Sequence, residues 1–291
     1  RGSRARGAQE KADFDNTKNL SVNGSSLNTL SEKDKADIHS GVQHILSEIG
    51  FEQLPKFLEC FVDKKTIIKK NNRFCFGLEL IDKCLKSFNN KILLHHQNRE
   101  NYLDLSKGNV YFGTGGAAPL ILDYERKVYR PSLGKDLLNA ARVVDRLDNL
   151  SFFSRPLVLT DIADPHLMDI YTAVISLSAT NKHVMTSVAN SNTVKSLAEV
   201  CYLIAGGEDA FRRSPFLSLN INFIIPPLRL DAEACEVMRE SVKYGIPVMA
   251  NVFGQRGASS PVSIVGSVCQ TIAEALSGLL ICWLLDPDSK V

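Results

Sequence analysis

Strong charge of either sign is missing from this sequence. Over 291 residues, 34 Lys and Arg against 32 Asp and Glu leave a formal +2, a balance that points to neither nucleic acid nor an anionic membrane as partner. Paired cysteines are missing too. The seven, at 60, 75, 84, 201, 235, 269 and 282, stand apart and mostly in apolar segments. Without Cys-x-x-Cys spacing neither a zinc site nor a redox couple is indicated, and an odd number of buried thiols suits a reducing cytoplasm. No apolar run reaches bilayer length: Ala275 to Leu285 is too short and closes on Asp286-Pro-Asp288. The start, Arg1-Gly-Ser-Arg-Ala-Arg-Gly, has no apolar stretch of a signal peptide and no Met, and reads as a cloning remnant or the internal start of a longer protein. Nucleotide fingerprints are absent as well. The glycine-rich Gly254-Gln-Arg-Gly257 turn lacks both the Lys-Ser/Thr ending of a P-loop and the G-x-G-x-x-G pattern.

What is present is a chain with two regimes behind a polar stretch, residues 1–30, expected to be flexible. In residues 31–148 Ser31 is a candidate N-cap. Ile38, Val42, Ile45, Leu46 and Ile49 then recur at helical spacing up to Gly50. A second helix is expected over 78–88, strand-like segments at 91–94, 109–112 and 120–122, and a helix from Ser132 to Leu147. Residues 149–291 alternate. Apolar runs at 156–160, 183–188, 216–222 and 246–253 each precede a helical pattern, at 165–178, 192–205, 231–244 and after Pro261. Four successive βα units predict a parallel sheet, because parallel strands need crossover helices. The spacing near 30 residues fits a (β/α)8 barrel or a doubly wound sheet. With Val291 falling where a fifth strand would begin, the chain is expected to be part of a longer barrel.

Four segments carry a resemblance. They are Gly113-Thr-Gly-Gly-Ala-Ala-Pro119, Asp136 to Asp148, Ile225-Pro-Pro-Leu228, and Gly257-Ala-Ser-Ser-Pro-Val-Ser-Ile-Val-Gly266 with the helix Ala273 to Gly278. In this order they resemble the trimethylamine methyltransferase family, the corrinoid-dependent methylamine methyltransferases, from about residue 35 onward. The resemblance implies an α/β protein: a (β/α)8 TIM barrel, here its first four βα units (149–291), behind an N-terminal helical α+β cap (31–148). It implies methyl transfer from a tri- or quaternary methylated amine, trimethylamine or a betaine, to the cobalt of a partner corrinoid protein. No tightly bound cofactor of the chain's own is implied. The catalytic groups, with pyrrolysine in some members, are expected beyond Val291. Two other readings stay open: a different barrel enzyme of aldolase or isomerase type, and a non-catalytic betaine-binding barrel. A cytoplasmic protein is expected, with a homo-oligomer compatible.

Barrels place function at strand C-termini. That rule selects Thr160 and Asp161, then Thr186, Ser187 and Asn190, then Asn220, Asn222 and Pro226, then Asn251, Phe253 and Gln255. A quaternary ammonium has no N–H, so aromatic faces and a carboxylate would hold it. Asp161 could supply the charge and Phe253, Phe223 or Phe153 a ring. Each also has a plainer reading, as helix cap or barrel core. Gly115, Gly116, Gly257 and Ser259 are candidates for loops at the mouth, the 113–116 turn reading equally as a hairpin end. His95-His96 reads as surface or loop, Arg212-Arg213 as a solvated loop, and Glu199 and Glu274 as exposed or locally paired helix residues. No catalytic triad can be placed from spacing.

Overall fold

Ser31 caps the first helix as its sequence predicts. Its hydroxyl accepts the Asp34 N–H and Asp34 accepts the Ser31 N–H. This is seen in a computed structural model, which describes residues 22–23, 29–63, 65–87, 92–105 and 108–291. The expectation for residues 1–30 falls almost wholly outside the described residues, as do Phe88 and Lys91. Helix α1 (Glu32–His44) runs into a π turn, Ile45–Ile49, and stops at Gly50, whose φ is 69°. Helix α2 is Leu78–Ser87 and α3 is Gly134–Asp145. Between them lie antiparallel hairpins, Ile67–Lys70 with Arg73–Phe76, Leu93–His95 with Tyr102–Asp104, and Leu120–Asp123 with Val128–Pro131. The last was half legible: the return strand, Val128–Pro131, is a short Val-Tyr-Arg-Pro segment, mostly exposed, too brief to show an alternating pattern.

The second regime is a parallel sheet. Strand β1 (Phe152–Ser154) leads to α4 (Pro165–Ala179), β2 (His183–Thr186) to α5 (Ser191–Ala205) and α6 (Glu208–Arg213). Strand β3 (Leu217–Asn222) leads to α7 (Ala232–Lys243), and β4 (Val248–Asn251) to α8 (Ile264–Leu285). The order is β4-β3-β2-β1, every neighbouring pair parallel. The alternation expected from sequence is therefore present, and the protein is of mixed α/β class.

The first strand lies earlier than the 156–160 run suggests. Leu157 and Leu159 of that run are buried against Leu137, Ala141 and Val144 of α3. The backbone there pairs with Ala118 and Ser132 instead of with β2. Pro156 lacks the N–H a central strand needs.

Alternation along the strands separates two faces. Phe153, Val184, Leu217, Leu219, Ile221 and Val248 face the helices and are almost fully buried. Each such side chain contributes about 1.5–3 kcal/mol by leaving water. The inner face carries Phe152, Met185 and Met249, covered by Leu94 and Leu103 of the second hairpin. Gly113 runs beside β1, where a Cβ would stand 2.3 Å from the Phe152 ring. Its turn therefore flanks the sheet and does not close a hairpin. Helix α8, 22 residues long, has the length and composition to cross a bilayer, which the shorter 275–285 stretch did not suggest. Half of its most apolar part is buried within the protein.

Candidate functional site

Three asparagines end on one face. Asn220 and Asn222 share the inner face of β3 with Ser218, and the register pairs Asn220 with Met249 and Asn222 with Asn251 of β4. These positions are at or next to the C-terminal ends of their strands. Asn222 is exposed and Asn220 and Asn251 are half-buried. The Asn220 Oδ1 is buried with no hydrogen-bond partner. An orphaned buried amide oxygen is costly, on the order of 1–3 kcal/mol, and marks a position able to accept a ligand donor or a cation's positive edge.

At the end of β1, Arg155 follows directly, in step with Thr186 of β2. Its backbone N–H donates to the Met185 carbonyl, and its Nη2 donates to the Ser187 hydroxyl at 3.1 Å. Its Nη1 stands 3.9 Å from Asp169, a buried carboxylate of α4 that accepts the Ala189 N–H at 2.8 Å. Burial works against the guanidinium charge and Asp169 supports it. Burial likewise raises the Asp169 carboxyl above its usual range, opposed by the Ala189 N–H and by Arg155. On the rim, Thr114 Oγ1 donates to the Ser154 carbonyl at 2.6 Å, fixing the 113–116 turn against β1. Gly115 and Gly116 project from that turn into open space.

The loop after β4 is stapled from below. Ser259 Oγ accepts the Gln255 N–H, and the Gln255 carbonyl accepts three N–H groups, from Ala258 to Ser260. Gly257 turns at φ 81°. Gln270 Nε2 donates to the Ser259 carbonyl and to Glu274 Oε1, which also accepts the Leu228 N–H. One fully buried carboxyl thus ties α8 to both the 225–228 loop and the 255–260 loop. Burial raises its pKa, and its Oε2 has no partner. Of the two expectations for Glu274, exposure is corrected, since it is fully buried, while local pairing holds with Gln270 one turn back. The Ala- and Ser-rich helix around it gives no sign of which face is covered. Phe253 is 63% exposed, and Val262, Ile264 and Val265 near it are more than half exposed, making an apolar rim beside the strand ends.

Other expected residues lie apart. Asp161 is exposed, and its carboxylate accepts the Gly134 N–H at 3.1 Å, satisfying an otherwise free donor in the first turn of α3. Asn190 caps α5 by accepting the Asn192 N–H. Thr186 pairs with Leu219 in register and faces the helices, its Oγ1 buried without a partner. His95 ends a strand and His96 opens the loop after it, both half-buried. Each has one buried ring nitrogen lacking a partner. They sit at the opposite end of the sheet with His183, which is fully buried between the His95 carbonyl and Ser218 Oγ. A cavity of about 260 Å³ lies along the edge of β4, lined by Ile92, Leu94, Ala250, Ala275, Leu279 and Lys290. Its walls are apolar and its one charge is positive, so it offers a cation nothing. Sequence reasoning missed Arg155 and Asp169, whose meeting across 14 positions has no local signal.

The chain matches the family model described as "Trimethylamine methyltransferase (MTTB)" over residues 1–291. It is 27% identical over 277 residues to a trimethylamine methyltransferase of Desulfitobacterium hafniense (strain DSM 10664 / DCB-2), covering 93% of this chain and 54% of that protein. It is also 27% identical over 283 residues to that of Methanosarcina barkeri (strain Fusaro / DSM 804), covering 93% and 56%. A glycine betaine methyltransferase of Desulfitobacterium hafniense (strain Y51) is 25% identical over 268 residues, covering 91% and 55%. The chain spans about half the length of the curated relatives it matches.

Proposed function

On the premise that this chain belongs to the trimethylamine methyltransferase family, we propose that it moves a methyl group from a tri- or quaternary methylated amine to a corrinoid carried by a partner protein. The four βα units are then the first of a (β/α)8 barrel, and the asparagine face is the wall of its mouth. The observation that carries this reading is the set of amides at the ends of β3 and β4, with an unpartnered Asn220 Oδ1 among them and an exposed Phe253 two residues past Asn251.

The corrinoid, when its carrier docks, supplies the nucleophile that accepts the methyl. This chain's share is to hold and aim the donor. Amide oxygens at Asn220, Asn222 and Asn251 present negative dipole ends to the ammonium without a full charge that would immobilise it. Phe253 offers a π face, and a cation over such a ring gains about 0.5–1 kcal/mol when exposed and about 2 when desolvated. The apolar rim of Val262, Ile264 and Val265 supports a carrier protein covering the mouth and excluding water.

Calorimetric titration with trimethylamine and glycine betaine, together with methylation of cob(I)alamin, tests the reading. Phe253→Ala is expected to weaken binding about tenfold when the ring is desolvated in the complex, since ~1.4 kcal/mol is one decade. Binding of no methylated amine and no methyl transfer to cob(I)alamin would overturn it. Binding without any transfer by the intact protein would leave a binding barrel.

A further inference from the structure

We propose that the N-terminal cap sets the geometry of the site. Arg73 and Glu52 of the cap are positioning residues that act through Leu228, fixing the loop after β3 and with it the direction of Asn222. The inference rests on the site reading above and adds control by residues that touch no substrate.

The loop after β3 is a small hairpin, Ile224–Ile225 with Arg229–Leu230, that starts two residues past Asn222. The cap takes up its other edge. The Glu52 N–H donates to the Leu228 carbonyl at 2.9 Å, and the Glu52 carbonyl accepts the Leu230 N–H at 3.1 Å. One residue earlier, Phe51 exchanges both backbone hydrogen bonds with Phe74, at 2.8 and 2.9 Å. Phe74 lies in the return strand of the cap hairpin Ile67–Lys70 with Arg73–Phe76. One hydrogen-bonded ribbon therefore runs from the cap to the strand end, through 67–70, 73–76, 51–52, 229–230 and 224–225.

Arg73 locks the middle of this ribbon. Its Nε donates to the Ile49 carbonyl at 3.0 Å and its Nη2 to the Gly50 carbonyl at 2.9 Å. Its Nη1 meets the Glu52 carboxylate at 2.6 Å, and Nη2 also reaches the Leu228 carbonyl at 3.5 Å. The fixed fork of a guanidinium makes several such bonds at once, which a lysine cannot. Leu228 is where the grip matters. Its φ of 52° is left-handed backbone, which a leucine keeps only where its surroundings impose it. The cap holds its carbonyl, and Glu274 of α8 holds its N–H at 2.9 Å. Gripped from both sides, the hairpin moves with the cap and not on its own. Only Phe223, buried against α8 at Gly278, separates it from Asn222. A displaced hairpin therefore passes its shift to the Asn222 amide, through bonded and packed neighbours.

Calorimetry on the full chain with glycine betaine and trimethylamine, beside thermal melts of the same variants, tests this. Arg73→Gln is expected to weaken whichever ligand wild type binds by at least about threefold, within the range of couplings carried through packed networks, while the melt stays cooperative. Glu52→Gln leaves the guanidinium bonds to the Ile49 and Gly50 carbonyls in place. It is expected to shift affinity in the same direction by less, and it decides the question if Arg73→Gln does not fold. Glu274→Gln keeps an acceptor for the Leu228 N–H and should retain wild-type affinity, whereas Glu274→Leu should lose affinity as Arg73→Gln does. In an Asn222→Ala background the loss from Arg73→Gln should vanish, since the cap acts through that amide. A lowered melting temperature with unchanged affinity in the Arg73 and Glu52 variants would make the ribbon a structural link only and overturn the inference, leaving the site standing. So would an Arg73→Gln loss that persists in full without the Asn222 amide. Failure of wild type to bind either ligand overturns the site reading and this inference with it.

Discussion

Asp161 illustrates how a strand-end residue becomes structural. It follows the 156–160 run, which imitates a strand, and its carboxylate is occupied by the Gly134 N–H. Asp161→Ala is expected to cost about 1 kcal/mol of stability, in the range of lost helix caps, and to leave amine affinity unchanged. A drop in affinity without a drop in melting temperature would return Asp161 to the binding site. Glu274 makes the opposite case. Its Oε1 satisfies the Leu228 N–H inside the fold, so Glu274→Leu orphans that donor at a cost of about 1–3 kcal/mol, whereas Glu274→Gln keeps the acceptor. Burial holds this carboxyl above the ordinary glutamate range. The folded state therefore binds the proton more tightly than the unfolded chain does. That contribution is present at low pH and is lost as pH rises from the unfolded toward the folded value. Thermal melts at pH 5 and pH 8 should show Glu274→Gln gaining on wild type at the higher pH. Parallel curves would contradict this.

Among the elements, α8 and the loop before it do most to shape the mouth. Ser263 caps the helix and Gln270 and Glu274 anchor the preceding loop. Its close approach to the sheet depends on Gly278, where an added Cβ would lie 2.6 Å from the Phe223 ring and 3.0 Å from the Ala250 Cβ. Gly278→Ala is expected to destabilise by about 1–3 kcal/mol through overpacking, read in denaturant melts, and a neutral substitution would show that α8 can shift outward. The βα alternation was legible because apolar runs and helical spacing repeat four times, and the helix bounds follow the capping residues Ser31, Asp164, Asn190 and Asp231. The strand-end asparagines Asn222 and Asn251 were legible by the same rule. What could not be read was anything set by distant contacts: the Arg155–Asp169 approach, the burial of Glu274, and the Gly113 turn lying along β1. Each depends on a partner 14 or more residues away.

For the molecule as a whole, the two ends of the sheet differ in chemistry. The amide-rich end faces the proposed substrate. The other end buries histidines as neutral rings: burial pulls His183 down to about 3, and His95 and His96 lower as well. A base whose folded value is depressed gives stability that is fully present above the unfolded histidine value and is lost as pH falls below it. The slope is up to about 1.4 kcal/mol per pH unit for each group that fully titrates differently. Denaturant melts from pH 8 to pH 5 should therefore show falling stability below about pH 6.5, and His183→Gln should flatten that fall. A stability independent of pH across this window would contradict the buried-histidine account. The central claim, that the inner face at the ends of β3 and β4 receives a methylated ammonium, is tested most directly by a crystal structure of the protein with glycine betaine. The account predicts density for the trimethylammonium head against Asn220, Asn222 and Asn251, within about 6 Å of the Phe253 ring centroid. Ordered ligand in the apolar cavity along β4, or elsewhere with this face empty, would contradict it.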